Sequence, residues 1–155
     1  MTVFTLPKDA DSIEEAVLLP EDFYNCVIIK EPVLKPNKKM EAGLTEEEGA
    51  GYNLLVSVKT ESDDPEFAGR WFTLYFGWPT LADENKRDMR GNKISDKKIE
   101  AIAKFVTAFG GSVEGTDIIL SENLRGQGYV LQEIDSRSNA LVNNISPFGI
   151  FKAIE

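Results

Sequence analysis

A single segment of this chain repeats its apolar residues at helical spacing, and it lies between segments with the two-residue period of β-strands. Ser95 is a typical N-cap residue before this segment, and Gly110 supplies the stop after it. The apolar residues at helical spacing are Ile99, Ile102, Ala103, Val106 and Phe109. Because the other periodic segments are strand-like, we predict a mainly β fold with one amphipathic helix.

Five segments rich in β-branched and aromatic residues have the pattern of strands. They are 23–34, 52–60 and 70–76 before the helix, and 128–134 and 140–145 after it. A five-stranded Greek-key barrel with a helix between strands three and four is the OB-fold arrangement. We therefore predict an OB-like barrel, with a different small β-barrel or an α+β sandwich as alternatives.

The length of 155 residues predicts one domain with a single core. Polar and acidic residues, with Pro7 and Pro20, dominate the start of the chain. We therefore expect an irregular N-terminal arm over 1–20 and a single OB-like domain over 21–155. The loop 35–51 is long for a compact domain, which makes it a candidate functional segment.

The composition argues against several classes of chemistry. The chain has one cysteine and no histidine, so a Cys/His zinc site, a Ser-His-Asp triad and a Cys-His pair are all excluded. No phosphate-binding loop and no calcium loop is present. We expect a protein that is not an enzyme and that has no cofactor and no metal.

The sequence contains no long apolar run and no signal-peptide pattern. We therefore expect a cytoplasmic protein that does not enter the membrane.

The segment GRWFTLYFGWP, 69–79, contains both tryptophans and has aromatic residues on both faces of its strand. Successive strand side chains point to opposite faces. The set without a polar group, which is predicted to be core, is Phe72, Leu74 and Phe76. Trp71 and Tyr75 share the other face with Thr73, and on an OB-fold this face binds the ligand. Trp78 lies beyond the strand, so strand alternation does not assign its side chain to either face.

Cations lie near this aromatic face in the sequence. Strand alternation places Lys59 on the same face. It assigns Arg70, the first residue of its strand, to the core face. A locally basic loop follows the aromatic strand at 86–93, on a chain of net charge −9. Rings that stack on bases, together with cations that contact phosphates, indicate a surface for single-stranded nucleic acid. The candidate binding residues are Trp71, Tyr75, Lys59, Arg70, Trp78, Lys86, Arg87, Arg90, Lys93, Lys35, Lys38 and Lys39.

Two other interpretations of the aromatic face stay open. Trp71 and Tyr75 can pack under the loop 35–51 or against the N-terminal arm, or they can anchor a protein interface, because exposed aromatic residues are common interface anchors. The cations of the loop 86–93 can likewise be a solvated set that offsets neighbouring acids.

The chain resembles a family of small bacteriophage proteins in the strings LPEDFYNCVII, FAGRWFTLYF, IEAIAKFVTAFGG, LRGQGYVLQE and VNNI, over about residues 18–148. That family is similar to phage single-stranded DNA-binding proteins with an OB-fold. The resemblance implies sequence-independent binding of single-stranded DNA during phage DNA replication or recombination, in the host cytoplasm. A homodimer or a replication-protein partner is compatible with it.

The net charge of −9 motivates a second hypothesis, an acidic protein-interaction module of a phage that does not bind nucleic acid. Such a module would be a structural or host-takeover factor. An acidic DNA mimic is a third hypothesis, and it requires the acids to form a regular surface array.

Overall fold

The computed structural model describes residues 1–154. Its strands are β1 (Asp22–Ile28), β2 (Val33–Pro36), β3 (Tyr52–Glu61), β4 (Trp71–Gly77), β5 (Ser112–Glu114), β6 (Asp117–Ile119), β7 (Arg125–Ile134), β8 (Leu141–Asn144) and β9 (Phe151–Lys152). Its α-helices are α1 (Lys38–Glu41) and α2 (Ile94–Ala108), and two short 3₁₀ turns cover Ala10–Ser12 and Ala82–Asn85. Within this described part, none of the helices has the length and apolar character needed to cross a membrane.

Seven of these strands form one antiparallel sheet of five lanes, where a lane is one strand position across the sheet. β1 and β2 lie end to end along the same side of β3, and β8 and β9 lie along the same side of β7. The lane order is therefore β4, β3, β1 with β2, β7, and β8 with β9. The sequence prediction of a mainly β fold with five strand positions and one long helix after the third is confirmed at this level.

The prediction of a barrel is not confirmed, because the sheet is not closed. Within residues 1–154 no backbone pairing joins β4 to β8 or β9. Side chains approach across this opening instead, since the Phe151 ring of β9 lies 6.4 Å from the Phe76 ring of β4. The predicted strand 23–34 is also split in two, and Pro32 lies in the break, where it has no N–H to donate to a neighbouring strand.

The core fills the space between the inner face of the sheet and α2. Phe76 of β4 lies 4.9 Å from Phe105 of α2, ring centroid to centroid, and Phe105 lies 4.4 Å from Phe109. Leu74 and Phe76 are buried and Phe72 packs against them, which confirms the predicted core set of this strand. Of the predicted helix stripe, Ile102, Val106 and Phe109 are buried, Ala103 is partly buried and Ile99 is half exposed.

The start of α2 differs from the sequence prediction. The helix begins at Ile94 with Lys93 in the N-cap position, and Lys93 makes no side-chain capping bond. Ser95 is not the N-cap but lies in the first turn, where its side chain is buried and its Oγ has no hydrogen-bond partner among the described residues. The cause is local, because Lys93 pairs with Arg87 in an isolated β-bridge that keeps it extended up to the helix start.

Replacing Ser95 by alanine is expected to leave the free energy of unfolding unchanged or to raise it by about 1 kcal/mol, because a buried hydroxyl without a partner is itself destabilising. If Ser95 were the N-cap, the same substitution would instead lower the free energy of unfolding by about 1 kcal/mol. Urea unfolding of the wild type and of Ser95→Ala decides between the two, and a clear loss of stability would contradict the assignment of Lys93 as N-cap.

Three short strands were missed in the sequence. β5 and β6 form a small antiparallel hairpin directly after α2, in a segment where no strand was predicted. β9 pairs with β7 through two residues, which is too short for a period-two pattern. All three strands depend on pairing rather than on local composition.

The N-terminal arm meets the domain at Leu19. Leu19 is fully buried, its N–H donates to Asn143 Oδ1 at 2.8 Å, and its carbonyl accepts from the Gln132 and Asn143 side-chain amides, each at 2.9 Å. Residues 1–17 are exposed. The arm predicted over 1–20 therefore ends at an anchored residue.

Candidate nucleic-acid interface

The face of β4 that points away from the core is open. Trp71 is 70% exposed and Tyr75 is 56% exposed, and Thr73 between them is exposed as well. These exposures show that neither ring is covered by the loop 35–51 or by the N-terminal arm. The intramolecular packing interpretation of the two rings is therefore wrong, whereas a protein interface stays open.

The strand register brings a cation next to the first ring. Lys59 of β3 lies directly opposite Trp71, and Leu55 lies opposite Tyr75. Side chains directly opposite on antiparallel strands have Cβ atoms about 4.5–5.5 Å apart. This placement of Lys59 agrees with the strand parity of the sequence.

The same face continues across β1 to β7. Val27 of β1 lies beside Lys59, and Arg125 of β7 lies beside Val27, so Trp71, Lys59 and Arg125 follow one line across the lanes. The guanidinium of Arg125 also pairs with Glu61, with Nε 2.8 Å from Oε1. Arg125 was missed because the hydrophobic alternation places the start of its strand at 128.

A second aromatic group lies further along this face. Phe23 and Tyr129 make an edge-to-face contact with ring centroids 5.1 Å apart, and the Lys152 ammonium lies 4.1 Å from the Phe23 ring centroid. The predicted strand 128–134 contains Tyr129, whereas none of the predicted strands contains Lys152. Alternation in β7 was the available indication for Tyr129, but no local pattern indicates the two-residue β9.

The outer face of the sheet is locally basic on an acidic molecule. Strand pairing assigns to it the cations Lys35, Lys59, Arg125 and Lys152 and the acids Glu61 and Glu133. This makes four positive and two negative charges on a chain whose net charge is −9. The aromatic rings and the cations therefore share one surface, which we call the outer face.

The basic loop 86–93 is largely committed to contacts within the chain. Lys86 donates to the carbonyls of Glu46 and Glu47, at 3.4 and 3.1 Å, and Lys93 pairs with Glu84 at 3.4 Å. Arg87 donates to the Gly91 carbonyl at 2.7 Å. Arg90 forms no ion pair within the described chain. Most of the cations of this loop therefore contribute to contacts that hold the fold.

Asp88 organises the same loop. Its carboxylate accepts from the N–H groups of Arg90 and Asn92 and pairs with Lys97 at 3.2 Å. Desolvation acts to raise the pKa of Asp88, but these hydrogen bonds outweigh it and lower the pKa to about 2.

Two other predicted residues lie away from the outer face. Trp78 has the inward parity of Phe76, packs against the core and lines an apolar pocket with Ile102 of α2. Arg70 lies at the strand entry, where its guanidinium donates to the Glu66 carbonyl at 2.9 Å. The structure therefore does not bring Trp78 and Arg70 together with Trp71 and Tyr75.

The lysines of the loop 35–51 are separated by the fold. Lys35 pairs with Asn53 across β2 and β3, which assigns it to the outer face. Lys38 and Lys39 are exposed on α1, and the Lys39 side chain lies against Gly49. Of the three, Lys35 alone is aligned with the aromatic strand.

A buried ion pair holds the segment after β4. Asp83 and Lys98 of α2 lie 2.8 Å apart, and Asp83 also accepts from the Thr80 N–H at 3.0 Å. Burial acts to raise the pKa of Asp83, but the bonds from Lys98 and Thr80 outweigh it, so that the pKa lies below its ordinary value. Lys98 is thereby part of the fold.

Reactive and metal-binding groups are sparse in the described chain. Cys26 is buried on the core side of β1, and burial raises the pKa of its thiol to about 12. Among residues 1–154, no group of three or more histidine, cysteine or acidic side chains is placed to hold a metal ion.

No protein-family model matches the chain. A search of curated proteins found no similar sequence either. The outer face therefore has to be interpreted from its own chemistry.

Proposed function

We propose that the protein binds single-stranded DNA on its outer face, largely independently of sequence, as a non-enzymatic protein of phage DNA replication or recombination. The observation that carries the proposal is the exposed pair Trp71 and Tyr75 with Lys59 directly opposite Trp71. Unpaired bases stack on such rings for about 1–3 kcal/mol each, and stacking tolerates any base.

The cations of the outer face supply the phosphate contacts in this proposal. Lys59 and Arg125 lie on one line with Trp71, and Lys152 lies beside the second aromatic pair. Strands in one sheet are about 4.8 Å apart, so Trp71 and Arg125, three lanes apart, are separated by about 14 Å. This distance suits a strand of DNA that crosses the sheet over several nucleotides.

The proposal extends to the fold, which we assign to the OB type. Its support is the lane order, in which the first predicted strand lies between the second and the fourth and the edge lanes are the third and the fifth. The long helix follows the third lane. In an OB-fold the ligand lies on the face of strands two and three, which are β3 and β4 here.

Titration with a dT oligonucleotide tests the proposal. We expect quenching of tryptophan fluorescence at low salt, because Trp71 is exposed on the binding face. With four cations on that face, the affinity should fall with salt with a log–log slope of about −3. Replacing Trp71 by alanine should weaken binding by about 5- to 150-fold, the equivalent of one lost stacked base.

The matched control is Leu81→Ala, because Leu81 is an exposed apolar residue outside the outer face. Its affinity for the oligonucleotide, measured by anisotropy of a labelled strand, should equal that of the wild type. The absence of quenching at low salt and tens of micromolar protein would refute the proposal. If both rings instead become protected on self-association without DNA, the outer face is a protein interface, as the interaction-module hypothesis requires.

A further inference from the structure

The N-terminal arm exposes apolar side chains that the described residues 1–154 do not cover. Val3, Phe4 and Leu6 are all exposed, Phe4 to 87%. The arm hydrogen bonds recorded before residue 17 are local, between Asp9 and residues 11 and 12. Covering these side chains with another apolar surface would be favourable, because it removes apolar area from water.

An apolar groove lies elsewhere on the molecule, between α2 and the segment 147–154. It measures about 670 Å³, within the range of about 300–1,000 Å³ that binding pockets occupy. Its apolar lining includes Ala103, Ala108, Ile150, Phe151 and Ala153. Ile150 and Phe148 at its edge are exposed. We call this feature the α2 groove.

The charges of the two features are complementary. The arm contains Asp9, Asp11, Glu14 and Glu15 against Lys8, a net charge of −3 over residues 1–17. The α2 groove and the cleft that continues it are bordered by Arg90, Lys97 and Lys104 against Glu100, a net charge of +2. Lys104 and Lys97 pair with Glu100 and Asp88, while Arg90 forms no ion pair within the described residues.

We propose that the N-terminal arm of one copy docks in the α2 groove of a second copy. Val3, Phe4 and Leu6 enter the apolar groove, and the acids that follow them face Arg90 and Lys104. The occupant is a second copy because residues 1–17 are exposed and do not pack on the described part of their own chain. The apolar residues of the arm fit the apolar groove, and the acids that follow them fit its basic edge. This self-association leaves the outer face open and does not depend on DNA binding.

The mass of the full chain in sedimentation gives the first test. We expect the mass to double as the protein concentration is raised to about 100 μM. Phe4→Ser in the arm and Ile150→Ser in the groove should each raise the dimer dissociation constant about tenfold or more, because each removes a buried apolar side chain. Neither side chain belongs to the core, so both variants should melt at the temperature of the wild type when the protein is dilute enough to be monomeric. Leu81→Ser is the matched control, and its dissociation constant should not change.

A paramagnetic label distinguishes docking between copies from docking within one. Cys26 is buried, so a Thr5→Cys variant takes a thiol label at the arm alone. Mixed with ¹⁵N-labelled wild type, the spin-labelled variant should broaden the amide signals of Gly149 and Ala153 in the wild-type chain, which carries no spin label. A monomer at all concentrations, the absence of broadening of these signals in the mixture, or a dimer that Phe4→Ser leaves intact would each overturn the proposal.

Discussion

Replacing Gly126 by alanine is expected to lower the free energy of unfolding by about 3 kcal/mol. Gly126 of β7 is buried, and a Cβ at this position would lie 2.5 Å from a ring carbon of Phe109. Phe109 cannot move away, because it is itself buried and stacks on Phe105. Urea unfolding measures the change.

Gly128→Ala is the matched control for this effect. Gly128 lies two residues further along the same strand, on the same buried face, but a Cβ there would meet Ile145 at 3.4 Å, an ordinary contact. We expect the free energy of unfolding to change by less than about 1 kcal/mol, since the reduced entropy of the unfolded chain offsets small adjustments. Equal losses in the two variants would show that the Phe109 contact is not the cause.

Replacing Lys98 by methionine is expected to cost about 3 kcal/mol of stability at neutral pH, because it leaves the buried Asp83 carboxylate without its cation. The side chains of Asp83 and Lys98 are 7% and 27% exposed. Lys104→Met is the control on the same helix, since its pair with Glu100 is exposed at 68% and 64%. Surface pairs of this kind contribute about 0–1 kcal/mol, so this variant should remain close to the wild type.

The pH dependence separates the loss of charge pairing from a loss of packing. The pKa of Asp83 is lowered in the folded protein, so the pair stabilises the fold above the unfolded pKa of about 3.9 and loses this effect as the pH falls through the folded pKa. In Lys98→Met the buried carboxylate binds a proton more readily. The difference in unfolding free energy between wild type and variant should therefore shrink as the pH is lowered below about 4. A constant difference would indicate lost packing alone.

Local patterns were sufficient to predict the elements that bury a regular face. The helical spacing predicted α2, and alternation separated Phe72, Leu74 and Phe76 from Trp71 and Tyr75, because a side chain's face depends only on its position along the strand. The open edge between β4 and β9 and the break at Pro32 could not be predicted in this way. They depend on which distant segments pair, and that information is not local.

The site was predictable to the same extent. Lys59 followed from parity, whereas Arg125 and Lys152 reach the outer face only through the pairing of β7 with β1 and β9. The cations of the loop 86–93 cluster in the sequence, but Lys86 donates to carbonyls 39 and 40 residues away, which composition does not reveal. The family resemblance and DNA binding itself stay predictions.

The central position of β1 also affects the order in which the chain can fold. Asn25 of β1 bonds through its side chain to Gln127 of β7, 102 residues later. At translation rates of about 5–20 residues per second, β1 is made about 5–20 s before its second neighbour exists. During this interval the nascent sheet lacks both α2 and β7, so its inner face is without the cover it has in the finished protein. We therefore expect the nascent chain to be most vulnerable to aggregation before β7 is made, and a holding chaperone to increase its yield.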